Sequence, residues 1–173
     1  MIVFQDEASL SNTASVSYKW GAKGIQPKIE QKQRNRERKT LFGCVDPITG
    51  IVTTDTADKG NTKTFFKFLV KVARVYPNRK VIMVVDNVRY HHAKRLKPIL
   101  GKYKNRLELV YLPPYSPDLN PVERIWWYMR KKISHNRYLE TMGDRITKFN
   151  ELMKQFQYEN ILGKNLARLI VNI

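Results

Sequence analysis

The sequence predicts an α/β fold in which helices flank a mixed, five-stranded β-sheet. A chain of 173 residues, 42% of them hydrophobic, is long and apolar enough to form one domain with its own core. Its β-prone and helical segments follow the order β, β-hairpin, α, β, α, β, α, which is typical of a mixed sheet covered by helices. The uninterrupted apolar run at residues 81–85 is typical of a central strand buried on both faces. We therefore expect residues 1–173 to form a single domain.

The first three strands are predicted near the N-terminus. Residues 2–5 form a short β-prone run that ends at Asp6, and residues 41–45 and 51–54 form two more. The segment 46–50, which contains Asp, Pro and Gly, separates the second strand from the third. The second and third strands are therefore expected to form a hairpin.

Two helices are predicted from apolar residues at helical spacing. The first extends from a cap at Asn61 or Thr62 to the break at Pro77. The second, in the basic segment 92–100, follows the strand at 81–85. We expect this second helix to be disturbed by its proline.

A proline-rich loop is predicted between the fifth strand, residues 107–112, and the next helix. Three prolines within residues 113–117 fix the backbone and block helix formation until Asn120. The helix after Asn120 carries apolar residues at helical spacing as far as Ile133, and one or two further helices follow. The loop therefore delivers the start of this helix at a set position.

The composition predicts a protein that binds nucleic acid. The chain has 32 Lys and Arg against 15 Asp and Glu, a formal net charge of +17, and nucleic acid is the usual polyanion for such a surface. A basic surface that is merely solvated is the alternative. With no apolar span of about 20 residues and no secretory leader, the chain is expected to be soluble and cytoplasmic. The single cysteine, Cys44, excludes an internal disulfide and a cysteine-based zinc cluster, and it is expected in the core.

Two aspartates directly follow predicted strands. Asp6 follows the first strand, and Asp86 follows the apolar run at 81–85. If these strands are parallel neighbours, the two carboxylates lie side by side at the carboxyl edge of the sheet, where α/β proteins gather their functional groups. Such close like charges repel unless cations lie between them, and oxygen ligands suit Mg²⁺ or Mn²⁺. The pair therefore predicts a divalent metal site.

Glu123 has two interpretations. In the first, Asn120 is the N-cap of the helix and Glu123 is the N3 member of a capping box. In the second, Glu123 extends from the first turn toward Asp6 and Asp86 as a third metal ligand. Asp118 is an alternative third carboxylate on spacing, although an aspartate in that loop is typical of a turn.

Several sequence blocks together resemble one enzyme family. Residues 6–9 (DEAS), 19–24 (KWGAKG), 84–87 (VVDN) followed by His91, and 112–123 (LPPYSPDLNPVE) resemble the catalytic domain of the IS630/Tc1/mariner transposases. The similarity covers most of the chain, and the last block is a highly specific signature. The resemblance implies an RNase H-like fold.

The resemblance also implies a catalytic DDE triad of Asp6, Asp86 and Glu123. These residues would hold two Mg²⁺ or Mn²⁺ ions, one between the two aspartates and one between Asp6 and Glu123. Paired ions about 3.5–4 Å apart can stabilise both the attacking and the leaving oxygen of a phosphoryl transfer. Water would be the nucleophile for DNA cleavage and a 3′-hydroxyl the nucleophile for joining. Asp86 and Glu123 are separated by 36 residues, slightly more than the commonest spacing in the family.

The implied partners are transposon inverted-repeat ends, a TA target and a second copy of the chain in a synaptic homodimer. A prokaryotic, nucleoid-associated location follows from the same resemblance. Full-length members carry helix-turn-helix modules before the catalytic domain, whereas here the first catalytic strand begins at residue 2. We therefore expect a fragment, a separately encoded catalytic half or a decayed copy.

Accessory and DNA-contacting residues are predicted around the triad. His91 matches the histidine of the family block, although it could simply bond backbone at a helix start. Asn87 could orient Asp86 or serve as a turn residue, and Asn120 belongs to the signature. Trp126 is expected in the core, because adjacent helical positions face different ways, and Trp127 on the surface, where it could stack on a base. The predicted phosphate contacts are Lys19, Lys23, Arg34, Arg36, Arg38, Lys94, Arg95 and Lys97.

Two other functions remain compatible with the sequence. One is a nuclease of the same fold that cuts DNA without joining strands, because the same triad serves both reactions. The other is a catalytically inactive, transposase-derived DNA-binding protein, which the loss of a triad carboxylate would favour. A nucleotide-binding α/β enzyme is disfavoured, because the sequence lacks a Walker A or GxGxxG loop.

Overall fold

A computed structural model describes most of the chain. Its elements in chain order are β1 (Ile2–Ser11), β2 (Arg38–Val45), β3 (Val52–Ala57), α1 (Thr62–Val75), β4 (Val81–Val85), α2 (Leu96–Lys102), β5 (Leu107–Tyr111), α3 (Val122–Ile133), α4 (Met142–Lys154) and α5 (Ile161–Leu166), with 3₁₀ turns at Arg89–His92 and Pro117–Leu119. The described residues are 1–13, 15, 17–18, 20–21, 23–24, 28, 37–114, 116–137 and 139–168, without the side chain of residue 117.

The predicted mixed, five-stranded sheet is confirmed. Its strand order is β3-β2-β1-β4-β5. The hairpin of β2 and β3 is antiparallel, and β2 also pairs antiparallel with β1. On the other side, β1, β4 and β5 are parallel. The first and fourth strands are therefore parallel neighbours, which is the arrangement required for the two aspartates to meet.

The prediction that β1 ends at Asp6 is wrong. The strand continues to Ser11, because β2 pairs with it along its whole upper part, from Phe4 to Ser11. Its parallel ladder with β4 is much shorter and joins Ile2–Phe4 to Ile82–Val84. Since β4 ends at Val85, Asp6 lies level with the end of β4 although it is inside its own strand. The expected side-by-side placement of the aspartates therefore holds.

Helix α1 begins and ends as the sequence predicts. The side chain of Asn61 accepts the backbone N–H groups of Lys63 and Thr64, which otherwise have no partner in the first turn. The helix ends at Val75, two residues before Pro77.

The predicted helix at 92–100 begins later than expected. His92 lies in the 3₁₀ turn Arg89–His92, and α2 covers only Leu96–Lys102. Pro98 does not disturb this helix, because it occupies the first turn, where a backbone N–H has no helical acceptor.

Two hydrophobic cores lie on opposite faces of the sheet. One contains Trp126, Met129 and Phe149 and packs α3 and α4 onto β1 and β2. The other contains Phe65, Phe68 and Leu69 and packs α1 onto the opposite face. Consecutive strand residues point to opposite faces, so neighbouring residues of β1 serve different cores. In the described parts of the chain, no helix is long and apolar enough to cross a membrane.

Candidate active site

The three predicted triad carboxylates line one cleft of about 310 Å³. Asp6 comes from β1, Asp86 follows β4 directly, and Glu123 lies in the first turn of α3. Asp118 is exposed in the 3₁₀ turn Pro117–Leu119 and is not among the residues that line the cleft. The complete lining is Asp6, Asp86, Asn87, Val88, Leu112, Pro113, Pro114, Ser116, Asn120 and Glu123.

Asn120 ties the start of α3 to the strand that carries Asp6. Its side chain is buried, donates through Nδ2 to the carbonyl of Gln5 at 2.9 Å, and accepts the N–H of Val122 at 3.2 Å. The predicted capping box of Asn120 and Glu123 is wrong, because the N-cap of α3 is Pro121 and carries no side-chain capping bond; Asn120 instead binds the N–H of the first helical residue from one position further out. Among the described residues, Arg130 is the ionic neighbour of Glu123, with Oε2 and Nη2 3.9 Å apart. The Glu123 side chain is 48% exposed and lines the cleft.

Burial and charge make Asp6 an unusual carboxyl group. Desolvation, followed by the negative charge of Glu123, raises the pKa of Asp6 to about 8. Its Oδ2 atom is buried and has no hydrogen-bond partner among the residues that the structure describes. A cation would both supply a partner and cancel the repulsion, so the oxygen donors around this atom fit a hard divalent ion.

Hydrogen-bond donors contact one oxygen of the Asp86 carboxylate, Oδ1. Its Oδ1 accepts the N–H of Val88 at 3.1 Å and lies 3.0 Å from Nδ1 of His91. Partial burial alone would raise the pKa of Asp86, but these hydrogen bonds hold it below its usual range. The other ring nitrogen of His91 lies 3.1 Å from Oε1 of Glu7. Burial alone would lower the pKa of His91, yet its bonds to Asp86 and Glu7 raise it to about 9.

Glu7 was not predicted as a site residue from the sequence. Ligand atoms of Glu7, Asp86 and His91 lie within 4.8 Å of one another, which makes them a tight group of potential metal ligands. The available signal was strand alternation, since Glu7 follows Asp6 directly and must point to the opposite face of the sheet.

Asn87 connects the end of β4 to the proline-rich loop. Its Nδ2 donates to the carbonyl of Leu112, and its Oδ1 lies 3.1 Å from Nε2 of His92. The His92 ring stacks on Tyr111, with centroids 4.2 Å apart. Asn87 therefore fixes the cleft wall next to Asp86.

The predicted DNA-contacting residues that the structure describes lie on the surface. Trp126 is fully buried, as expected, and Trp127 is half exposed, with Nζ of Lys131 5.0 Å from its ring centroid. Lys19, Arg34 and Arg36 lie outside the described residues. The predicted basic contacts that the structure describes are all exposed; they are Lys23, Arg38, Lys94, Arg95 and Lys97.

Comparison with protein families identifies the chain. The family model of the DDE superfamily endonucleases matches residues 1–144. The chain belongs to this family. Among curated proteins, it is 25% identical over 154 residues to the insertion element IS630 uncharacterized 39 kDa protein of Shigella sonnei, covering 88% of this chain and 44% of that protein. This DDE domain therefore spans less than half the length of that relative.

Solved structures show the same fold. The Mos1 transposase paired-end complex with the left transposon end superimposes with a TM-score of 0.72 at 16% identity, over 96% of this chain and 51% of that one. Mos1 mariner paired-end complexes with Mn and with Mg give TM-scores of 0.72 and 0.70, both at 17% identity and with the same coverage. The DDE domain described here therefore has the RNase H-like fold, and it is similar in sequence to an IS630 protein and in fold to the Mos1 mariner transposase.

Proposed function

We propose that this DDE domain is the catalytic domain of a transposase that cleaves DNA and joins strands at transposon ends. Asp6, Asp86 and Glu123 are its catalytic residues and hold two divalent ions. The observation that carries the proposal is the convergence of these carboxylates on one cleft from three separate elements.

The acidic cleft supports metal-dependent chemistry. Burial and a neighbouring negative charge disfavour ionisation of Asp6, and a bound cation would offset both effects. When bound, Mg²⁺ or Mn²⁺ would polarise the scissile phosphate and favour ionisation of the attacking hydroxyl. Asp6 and Asp86 provide ligands from rigid neighbouring strands, whereas Glu123 provides one from a helix start fixed by Asn120.

The remaining residues bind and position DNA. The surface is strongly basic, which favours the phosphate backbone, and Lys23, Arg38, Lys94, Arg95 and Lys97 contribute phosphate contacts. Trp127 contributes an exposed aromatic face. Asn87 fixes the cleft wall next to Asp86 by donating to the carbonyl of Leu112, and His91 contacts the Asp86 carboxylate.

The biological partners are part of the same proposal. The substrate ends are inverted repeats, the target is TA, and two copies of the chain pair the ends, by analogy with the paired-end complexes of Mos1. Residues 1–173 form one catalytic domain, which works on DNA in the nucleoid of a prokaryotic cytoplasm.

The test is nicking and strand joining on labelled DNA with Mn²⁺ or Mg²⁺. We expect activity that requires the metal and falls at least about a thousandfold in Asp86→Ala and in Glu123→Ala, because removing a group that stabilises the transition state costs this much or more. Asp118→Ala is the matched control and is expected to keep activity, since Asp118 is the alternative third carboxylate outside the cleft.

The outcome also separates the competing functions. Metal-dependent cutting without joining would identify a nuclease. DNA binding with neither cutting nor joining on candidate ends would contradict the proposal and identify an inactive, transposase-derived binding protein. If activity survives in Glu123→Ala but not in Asp118→Ala, then Asp118, not Glu123, is the third metal ligand.

A further inference from the structure

We propose that Glu7 and His91 form a clamp that sets the position of the Asp86 carboxylate and links it to the strand that carries Asp6. Both are positioning residues, since neither lines the cleft. The inference rests on the proposed function, because it assigns Asp86 the role of a metal ligand.

The His91 ring is fixed from several sides. Its side chain is completely buried, and its centroid lies 4.1 Å from that of Phe65 and 4.7 Å from that of Tyr90. Its backbone N–H donates to Val88 at 2.9 Å, and its carbonyl accepts the hydroxyl of Tyr111 at 3.0 Å. A buried ring with this many contacts cannot follow the motion of Asp86, so it imposes its own position on that carboxylate.

The clamp uses one oxygen of Asp86 and leaves the other for the cleft. Within the described chain, both the N–H of Val88 and Nδ1 of His91 reach Oδ1, and Nδ1 also lies 3.2 Å from the backbone carbonyl of Asp86. A carboxylate that is held through one oxygen keeps a fixed direction for its second oxygen. Such outer partners of metal ligands orient the ligand and sharpen metal affinity.

Glu7 anchors the clamp to β1. Its side chain is only 13% exposed, and Oε1 lies 3.1 Å from Nε2 of His91. Asp6, the preceding residue, faces the cleft from the other side of the same strand. The chain of contacts Asp6–Glu7–His91–Asp86 therefore fixes the two aspartates relative to each other through side chains, in addition to the short β1–β4 ladder.

Direct metal binding by these three residues is the competing interpretation. The two carboxylates face different nitrogens of one ring, Nε2 and Nδ1. Although ligand atoms of the three residues lie within 4.8 Å of one another, each carboxylate is at hydrogen-bond distance from its own ring nitrogen, and the two are not gathered around one nitrogen as ligands of a shared ion would be. This geometry favours a clamp.

The experiment measures Mn²⁺ affinity of the isolated chain without DNA, from the electron paramagnetic resonance signal of free Mn²⁺ at one fixed pH. We expect His91→Gln and Glu7→Ala each to weaken Mn²⁺ binding about tenfold or more. Glu7→Gln should weaken it less, because the amide oxygen can still accept from Nε2. In the double variant His91→Gln with Glu7→Ala, the loss should equal that of His91→Gln alone, because Glu7 acts through His91.

Controls keep a structural effect separate from positioning. His135→Gln and Glu108→Gln replace a histidine and an exposed strand glutamate away from the cleft, and both should bind Mn²⁺ as wild type does. Thermal melts of every variant show which are folded. Should His91→Gln fail to fold, the graded pair Glu7→Gln and Glu7→Ala carries the test.

Each contrary result has its own meaning. Wild-type affinity in folded His91→Gln and Glu7→Ala would overturn the clamp and leave the proposed function intact. Losses that multiply in the double variant, or one ion fewer per chain in His91→Gln, would overturn it in favour of independent or direct ligation. If the wild-type chain bound no Mn²⁺, or if Asp86→Ala bound it as well as wild type, both the proposed function and the clamp would be contradicted.

Discussion

Gly43, which has no side chain, allows α3 to approach the candidate site closely. Gly43 of β2 pairs with Asp6, and the indole ring of Trp126 packs directly over it. A Cβ atom at this position would lie 2.5 Å from Cη2 of Trp126. Because Trp126 is one turn after Glu123, this contact also sets the height of Glu123 above Asp6.

We expect Gly43→Ala to destabilise the protein by about 1–3 kcal/mol, because the added methyl group overpacks a dense core. It should also reduce metal-dependent activity, since Trp126 must move and carries the first turn of α3 with it. Chemical denaturation and the nicking assay measure the two effects. Gly101→Ala in α2, where an added Cβ has open space, is the matched control and should stabilise by about 0.5–1 kcal/mol. Equal stability of the two variants would contradict the packing argument.

At the scale of elements, one buried arginine of α4 holds together the ends of its neighbours. Arg145 is completely buried and donates to the carbonyl of Ile133 at 3.0 Å, at the end of α3. It also donates to the carbonyl of Asn12 at 3.3 Å, just after β1, and to that of Arg137 at 3.4 Å. Burial lowers its pKa, so the charge is retained because several carbonyls surround it.

Arg145→Met should destabilise the protein by about 3 kcal/mol, because it leaves buried carbonyl groups without donors while keeping most of the side-chain volume. Urea denaturation monitored by tryptophan fluorescence gives the value. Lys148→Met removes an exposed cation from the same helix and should change stability by less than about 0.5 kcal/mol. A similar small change for both would show that Arg145 is not a tie between elements.

At the scale of the whole molecule, the sheet separates two hydrophobic cores. The reactivity of the single cysteine measures whether the core that contains it opens to solvent. Cys44 of β2 is buried in the core between the sheet and α1. Burial raises the pKa of its thiol from 9.0 to about 12. Between pH 9 and pH 12 the thiol of the unfolded chain loses its proton, whereas the native thiol keeps it. The contribution of Cys44 to the free energy of unfolding is therefore present below pH 9 and is lost as the pH rises toward 12.

Labelling of Cys44 with a thiol reagent should therefore require opening of the fold. The reactive form is the exposed thiolate, so we expect slow labelling whose rate rises with the destabilisation in Arg145→Met. Ser9→Cys adds an exposed thiol on β1 and should give one fast and one slow phase in the same sample. Fast labelling of both thiols in the native protein would show that this core opens locally.

Local pattern was sufficient to predict most elements, whereas the choice of the third carboxylate needed the family resemblance. Hydrophobic periodicity and turn residues predict the five strands, the hairpin and the helices, because these signals act over a few neighbouring residues. Asp86 was predicted from a strand end, which is a local feature, whereas the helix start left two interpretations of Glu123 open and only the family resemblance favoured the metal ligand. The extension of β1 past Asp6 was missed because it depends on pairing with β2, a segment some thirty residues away.

The sequence by itself determined the α/β class, the basic character of the chain and, through its motifs, which three carboxylates belong together. Only the tertiary structure decided how they are held: Glu7 against His91, Gly43 beneath Trp126 and Arg145 across three elements. The physical reason is that these contacts join residues far apart in the chain, 84 positions in the case of Glu7 and His91. Their geometry depends on strand register and helix packing, which no local pattern encodes.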